Sequence, residues 1–271
     1  MVSKYIISFF LFAGAVLVSS RYTPKIVGGE DALPHEFPYQ ISLQWNYNEA
    51  YKPTKHMCGG SILDEYHVLT AGHCYVKYSE DGHFEVVAGA HDLTAAAATK
   101  ENEQRRLVES FTVHESYDGD VGPDDLAIIR VKEPFVLDEY VQTVSLPEHL
   151  EEFEGKAMLS GWGSISNSWS QEYPDTLQKA NLPLHSYEEC SEFYDASTPL
   201  AESNICAGEP DGSSSGCSGD SGGPLVAQIE GRSVQIGVVS WGAIPCGQRS
   251  RPTVFVAVSH YIDWINGKLM K

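Results

Sequence analysis

The chain has 271 residues, of which 42% are hydrophobic, so it is long enough and apolar enough to bury a sizeable core. Its 37 aspartates and glutamates outnumber 18 lysines and arginines, and the formal net charge of −19 repels polyanions. Nucleic acids and anionic membrane surfaces are therefore excluded as expected partners.

Residues 1–20 have the composition of a secretory signal peptide. An uninterrupted apolar or small-residue stretch from Tyr5 to Val18 follows Lys4 and ends at two serines. It is shorter than the roughly 20 residues that a membrane-spanning helix needs. We therefore expect cleavage after Ser20 and secretion to the extracellular space, with a signal anchor as the disfavoured alternative. The six cysteines can then all form disulfides in an oxidising compartment.

Short runs of β-branched and aromatic residues recur between turn signals along the rest of the chain. They cover residues 39–45, 85–88, 127–131, 224–228, 233–239 and 253–258. Regularly spaced short strands predict an all-β barrel or sandwich. The charged segment 141–154, which contains Pro147, predicts a boundary between two halves. One helix is predicted, at the C-terminus, where Tyr261, Ile265 and Leu269 recur at helical spacing.

Three motifs far apart in the sequence carry residues suited to nucleophilic catalysis. His73 lies in TAGHC, Asp125 in DDLAII and Ser221 in GDSGGP. A serine hydroxyl needs a base within hydrogen-bonding reach, and an imidazole base needs a carboxylate that fixes its tautomer. His73, Asp125 and Ser221 supply these groups, whereas Asp124 by itself has the pattern of a solvated acidic turn. The backbone N–H groups of Gly219 and Ser221 are candidates for an oxyanion hole.

These motifs resemble those of the chymotrypsin-like serine endopeptidases, which include trypsin, chymotrypsin and elastase. The resemblance runs from Ile26 to Lys271 and includes, in order, IVGG at 26–29, CGGS at 58–61, GWG at 161–163 and SWG at 240–242. It implies that His73, Asp125 and Ser221 form the catalytic triad. An inactive homologue that serves as a binding scaffold is the alternative from another functional class, and the complete triad disfavours it.

The resemblance also implies the fold. We expect two packed six-stranded antiparallel β-barrels, the first over about residues 26–145 and the second over about 146–258, with a C-terminal α-helix over about 259–271. The implied disulfides join Cys58 with Cys74, Cys190 with Cys206, and Cys217 with Cys246. This set is sparser than that of vertebrate trypsins and is similar to invertebrate digestive chymotrypsin, elastase and collagenolytic members.

Residues 21–25 resemble an activation propeptide. Cleavage after Lys25 would free the α-amine of Ile26, a cation that could pair with a buried Asp220. That pair would help to assemble the amides of the oxyanion hole. His56 and Ser42 stand where some precursors of the family hold the aspartate before cleavage, and an ordinary surface histidine is the alternative interpretation of His56.

By the same resemblance, Ser215 forms the floor of the specificity pocket, and Ser240, Trp241, Gly242 and Thr253 complete it. A trypsin carries aspartate at the floor, so a neutral serine disfavours cleavage after Lys or Arg. We expect a chymotrypsin-like preference for Tyr, Phe, Leu or Met before the scissile bond. Thr253 partly fills the deep end of the pocket and should disfavour the largest of these side chains. Elastase-like or broad collagenolytic specificity is the alternative.

No cofactor is implied by the resemblance. The segment Ala90–Asp92 lacks the acidic residue that opens the calcium loop of trypsins, so no strong metal site is expected. The expected partners are protein or peptide substrates, a trypsin-like activating protease and protein protease inhibitors. The chain is expected to be a monomer.

Overall fold

The computed structural model describes residues 26–48, 54–75, 81–94, 98–195 and 198–270. The predicted signal peptide, the predicted propeptide and Lys25 lie outside these residues. In the part of the chain that is described, no helix combines the length and apolar character needed to cross a membrane.

Six antiparallel strands close the first barrel in the order β2-β3-β4-β7-β6-β5. A short strand β1 (Glu30–Asp31) precedes them in the chain. The six strands are β2 (Gln40–Tyr47), β3 (Lys55–Ile62), β4 (His67–Thr70), β5 (Gly82–Ala88), β6 (Gln104–Val113) and β7 (Ala127–Val131). Fully buried side chains such as Ile41, Leu69 and Ile129 fill the interior. Their removal from water supplies the main stabilisation of this barrel.

The second barrel has the strand order β9-β10-β13-β12-β11-β8 and closes through the pairing of β8 with β9. Its strands are β8 (Lys156–Gly161), β9 (Gln178–His185), β10 (Asn204–Ala207), β11 (Pro224–Ile229), β12 (Arg232–Trp241) and β13 (Thr253–Ala257). Leu159, Leu225 and Phe255 are fully buried in its core. The expected fold of two six-stranded antiparallel barrels is confirmed.

The start of the described chain packs on the second barrel, whereas the prediction of a first barrel over about residues 26–145 included it in the first. Ile26 is fully buried in the core of the second barrel. The short strand β1 pairs with β9, so that Glu30 faces Lys179 across the ladder. The N-terminal segment therefore ties together elements that are more than 140 residues apart in the chain.

Two α-helices are present among the described residues, and only the second was predicted. Helix α1 (Tyr187–Phe193) begins with a capping box, in which the Ser186 hydroxyl accepts the Glu189 N–H and the Glu189 carboxylate accepts the Ser186 N–H. Helix α2 (Ile262–Leu269) follows a 3₁₀ turn at Val258–Tyr261 and buries Ile265 on the first barrel.

Candidate active site

His73 lies on a short 3₁₀ turn, Gly72–Cys74, that follows strand β4. A disulfide joins Cys74 to Cys58 in strand β3 and so ties the turn to the barrel wall. The two sulfurs lie close to the His73 ring, but they are bonded to each other and offer no thiolate for a metal. The His73 side chain is 32% exposed, so one edge of the ring remains accessible to a ligand.

Asp125 holds His73 in place through hydrogen bonds to both its backbone and its side chain. Its side chain is only 4% exposed, and its carboxylate accepts three hydrogen bonds. One oxygen accepts the His73 backbone N–H at 2.8 Å, and the other accepts His73 Nδ1–H at 2.7 Å and the Ser240 hydroxyl at 2.6 Å. Because a carboxylate only accepts, the proton of the neutral ring sits on Nδ1 and leaves Nε2 free as a base. Ser240, expected in the pocket wall, is thus a partner of Asp125.

The Ser221 loop packs tightly against the strands that carry the histidine turn. The Gly59 N–H donates to the Ser221 carbonyl at 2.8 Å, and the Gly222 N–H donates to the Val239 carbonyl at 2.8 Å. At Gly222, which has a φ of +74°, a Cβ would lie 2.2 Å from the Thr70 hydroxyl. At Gly59 a Cβ would lie 2.9 Å from the Gly223 Cα, so these glycines permit the close approach of the two barrels.

These contacts place the Ser221 loop beside Gly59 of strand β3 and Thr70 at the end of strand β4, which leads into the His73 turn. Ser221 and His73 both belong to the described part of the chain, and their side chains form no hydrogen bond with each other. In enzymes without substrate this contact is often longer than a hydrogen bond and tightens in the complex.

Asp220 is fully buried beside Ser221. Its carboxylate accepts the Gly163 N–H and the Cys217 N–H, both at 2.9 Å. Gly161 and Gly163 leave the room it needs, since a Cβ at either would lie within 2.3 Å of a carboxylate oxygen. Burial raises the pKa of Asp220 to about 6, although the two backbone hydrogen bonds have the opposite effect and lower the pKa.

His56 contacts the glycine that precedes Asp220. Its Nε2 lies 3.0 Å from the Gly219 carbonyl, and its Nδ1 lies 2.7 Å from the Ser42 hydroxyl. A carbonyl only accepts, so Nε2 carries the proton and Nδ1 accepts from Ser42. Burial lowers the pKa of His56, which favours this neutral ring. His56 thus bonds to Ser42 and to Gly219, whereas the carboxylate of Asp220 bonds to backbone amides.

The predicted pocket floor is a neutral, satisfied hydroxyl. Ser215 is 4% exposed, its Oγ accepts the Gly247 N–H at 3.2 Å, and its N–H donates to the Val27 carbonyl at 3.1 Å. The disulfide Cys217–Cys246 joins the two segments on either side, and Cys190–Cys206 joins α1 to β10. The floor therefore presents no carboxylate of its own to a basic side chain.

The two predicted pocket walls, Gly242 and Thr253, differ in how much space they leave. A Cβ at Gly242 would meet Thr253 only at 3.8 Å or more, so Gly242 leaves ordinary room. The Thr253 hydroxyl donates to the Gly216 carbonyl at 3.4 Å and fills the space beside that residue. Trp241 packs edge-on against Tyr194, with ring centroids 5.1 Å apart.

Arg251, which precedes strand β13 by two residues, extends toward helix α1. Its guanidinium donates to the Phe193 carbonyl at 2.8 Å and lies over the Tyr194 ring. The charge of Arg251 therefore lies beside helix α1 and not at the predicted pocket floor.

A cleft of about 640 Å³ lies on the second barrel and contains none of the predicted site residues. Glu151, Glu154, Glu188 and Glu202 are among the residues that line it. On a chain of this net charge, it is a solvated acidic depression, separate from the arrangement around His73.

Comparison with known proteins identifies the family of this arrangement. The model of the Trypsin family matches residues 26–265. Trypsin-1 of Astacus astacus is 36% identical over 242 residues, which cover 89% of this chain and 98% of that protein. Chymotrypsin-C of Bos taurus is 35% identical over 94% of this chain and 93% of its own length, and Lectizyme of Glossina austeni is 35% identical over 90% and 86%. The chain therefore belongs to the trypsin family and is a serine endopeptidase.

Proposed function

We propose that this endopeptidase uses His73, Asp125 and Ser221 to hydrolyse peptide bonds through an acyl-enzyme. The observation that supports these roles is the buried Asp125 carboxylate, which holds His73 Nδ1–H at 2.7 Å and leaves Nε2 free on the exposed edge of the ring. The same carboxylate also accepts the backbone N–H of His73, so the ring and the main chain of the histidine are held by one group.

In the first step His73 Nε2 takes the proton of Ser221 Oγ as that oxygen attacks the carbonyl carbon of the scissile bond. The carbonyl oxygen gains the negative charge and is met by the N–H groups of Gly219 and Ser221. The protonated His73 then gives its proton to the leaving amine, and an ester of Ser221 remains. In the second step His73 takes a proton from a water molecule as that water attacks the ester carbonyl carbon. The protonated His73 then gives this proton to Ser221 Oγ as the ester bond breaks and the new carboxyl terminus leaves. Asp125 stabilises the imidazolium in both steps.

The neutral pocket floor supports a preference for Tyr, Phe, Leu or Met before the scissile bond. A lysine side chain that entered this pocket would bury its ammonium beside the Ser215 hydroxyl without a carboxylate, which is costly. Gly242 leaves the entrance open, whereas Thr253 reduces the depth beside Gly216. An elastase-like preference for small side chains follows only if Thr253 restricts the pocket more than Gly242 opens it.

A peptide library with every residue at the position before the scissile bond tests this proposal. We expect the Lys25-cleaved enzyme to cleave after Tyr, Phe, Leu and Met, and the variant Ser215→Asp to gain cleavage after Lys and Arg. Gly242→Val is the matched control, since it narrows the entrance and should shift cleavage toward small residues without any gain for basic ones. Preferred cleavage after Lys or Arg by the wild-type enzyme would contradict the proposal, and preferred cleavage after Ala would favour the elastase-like alternative.

We also propose that the chain is secreted as a precursor and is activated by a trypsin-like protease after Lys25. Three disulfides among the described residues and the predicted signal peptide support an oxidising, extracellular destination. The buried Asp220, whose carboxylate is held by backbone amides and has a raised pKa, supports a pairing with the freed α-amine of Ile26.

A further inference from the structure

A strained turn places the carboxylate of Asp125. Asp124 has a φ of +63°, in the left-handed region, which aspartate tolerates better than most residues other than glycine. The carbonyl of Asp124 accepts the N–H of Leu126 at 2.7 Å, so that this hydrogen bond spans Asp125. The direction of the Asp125 side chain thus depends on the backbone conformation of the residue before it.

Tyr261, from the 3₁₀ turn that leads into α2, contacts Asp124 at two points. Its phenolic oxygen accepts the Asp124 backbone N–H at 3.3 Å, and its O–H donates to Asp124 Oδ1 at 3.0 Å. Ser203 Oγ lies 3.1 Å from the same phenolic oxygen. Tyr261 is 7% exposed, and its ring packs edge-on against His114. The hydroxyl is therefore fixed from several sides, and it binds the backbone and the side chain of one residue together.

His114 is a second neighbour of Asp124 but does not hold it in the same way. Its Nδ1 accepts the Ser116 N–H at 3.3 Å, and this nitrogen lies 3.6 Å from Asp124 Oδ1, beyond an ordinary hydrogen bond. The hydrogen bond that the Asp124 side chain accepts within the described part of the chain therefore comes from Tyr261.

We propose that Tyr261 is a positioning residue for Asp125 and acts through Asp124, an inference that rests on the catalytic role proposed for Asp125. The phenol binds an N–H and a carboxylate oxygen that Asp124 presents together in its left-handed conformation. Without the phenol the turn can relax, and Asp125 loses its alignment toward His73 and Ser240. Because Tyr261 belongs to none of the pocket elements, its removal affects the chemical step more than substrate binding.

Tyr261→Phe tests this inference because it keeps the ring and removes only the hydroxyl. In the Lys25-cleaved enzyme we expect kcat to fall about tenfold, the equivalent of one ordinary hydrogen bond, with KM nearly unchanged. The acid limb of the kcat/KM profile should move to lower pH, because Asp125 then stabilises the imidazolium of His73 less well. A purely structural role of Tyr261 would leave this limb in place.

Variants of Asp124 test the route of the effect. Asp124→Ala should cause a similar loss, and the double variant Tyr261→Phe/Asp124→Ala should be little worse than either single variant. Asp124→Asn should recover most of the activity lost in Asp124→Ala, since asparagine keeps an acceptor oxygen and tolerates the left-handed region. Multiplied losses in the double variant would show that Tyr261 does not act through Asp124 and would overturn the inference.

Glu115→Gln is the matched control for contacts with the same helix. Glu115 accepts hydrogen bonds from Trp264 and Lys268 of α2, whereas Tyr261 bonds to Asp124 and Ser203. This variant should keep wild-type kinetics, and unfolding transitions should show that every variant is folded. An equal loss in Glu115→Gln would mean that general docking of α2, and not the Tyr261 hydroxyl, is responsible, which would overturn the inference.

A readout without turnover separates this inference from the proposed function. The proton on His73 Nδ1, hydrogen-bonded to Asp125, should give a far-downfield NMR resonance that moves upfield in Tyr261→Phe. Wild-type kcat, pH profile and resonance in a folded Tyr261→Phe variant would overturn the inference. If the wild-type enzyme showed no turnover, the proposed function would fail, and the resonance alone would then decide whether Tyr261 positions Asp125.

Discussion

At the scale of single residues, His73 and Ser221 should behave as one unit. We expect Ser221→Ala and His73→Ala each to lower kcat by on the order of 10⁶, because the base and the nucleophile act in the same proton transfer. The double variant should be little worse than either single variant. Single-turnover kinetics on an ester substrate measure this, and two losses that multiply would show that the residues do not share a mechanism.

Asp220 should make the stability of the precursor depend on pH. Its folded-state pKa of about 6 lies above the ordinary value of 3.8, so between these values the folded chain binds more protons than the unfolded chain. The contribution of this group to stability is therefore complete below pH 3.8 and is lost as the pH rises from there through about 6. The loss is on the order of 3 kcal/mol for a fully buried carboxylate.

Urea unfolding of two precursors from pH 4 to 7 measures this effect as a difference. One carries Ser221→Ala alone, and the other carries Ser221→Ala together with Asp220→Asn. The free energy of unfolding of the precursor that retains Asp220 should fall with rising pH relative to that of the Asp220→Asn precursor. Cleavage after Lys25 should remove this trend, since an Ile26 ammonium would stabilise the charged carboxylate. A difference that does not change with pH would contradict the raised pKa.

Residue patterns in the sequence predicted candidate side chains for the site, but not all of the contacts that these side chains make. The TAGHC, DDLAII and GDSGGP motifs pointed to His73, Asp125 and Ser221, and the structure gathers the elements that carry them. Ser240 was predicted only as a pocket residue, and nothing in the sequence indicated that its hydroxyl donates to Asp125. Asp124 was interpreted as a solvated turn, yet it accepts a hydrogen bond from Tyr261, more than 130 residues away. Such pairings depend on tertiary structure that no local pattern encodes.

At the scale of elements, helix α1 depends on its N-cap. The Ser186 hydroxyl accepts the Glu189 N–H at 3.2 Å, one of the N–H groups that has no partner within the helix. Ser186→Ala should lower the free energy of unfolding by about 1 kcal/mol. Urea titration measures this, with Ser191→Ala in the same helix as the control that leaves the cap intact. Equal losses at both serines would show that the cap contributes nothing specific.

For three elements that were not predicted from the sequence, a physical reason explains the omission. Strand β3 contains two adjacent glycines, which lower strand propensity, yet Gly59 is needed where the chain approaches Gly223. Helix α1 is only seven residues long and lacks a clear apolar period, although the pattern Ser-x-x-Glu at 186–189 could have indicated its start. Strand β1 has two exposed residues and forms only because β9 lies beside it.

For the whole molecule, the neutral floor of the proposed pocket does not suit the proposed activation site, and this mismatch predicts how a precursor would be activated. The proposed activation cleavage follows Lys25, whereas Ser215 offers a lysine side chain no carboxylate. Purified precursor should therefore remain inactive for hours, and a trace of trypsin should convert it. Ser215→Asp should convert itself faster than the wild type. Concentration-dependent self-activation of trypsin-free wild-type precursor would show that another acidic group reaches the pocket.

Active-site titration with an organophosphorus ester shows whether Ser221 is an activated nucleophile. Such esters phosphorylate a serine whose hydroxyl is activated by a neighbouring base. After cleavage at Lys25, we expect one mole of leaving group per mole of enzyme and a single phosphoryl adduct on Ser221, identified by peptide mass spectrometry. Ser221→Ala should give neither. A cleaved wild-type enzyme that releases no burst of leaving group and carries no adduct on Ser221 would contradict the proposed role of Ser221 as the nucleophile.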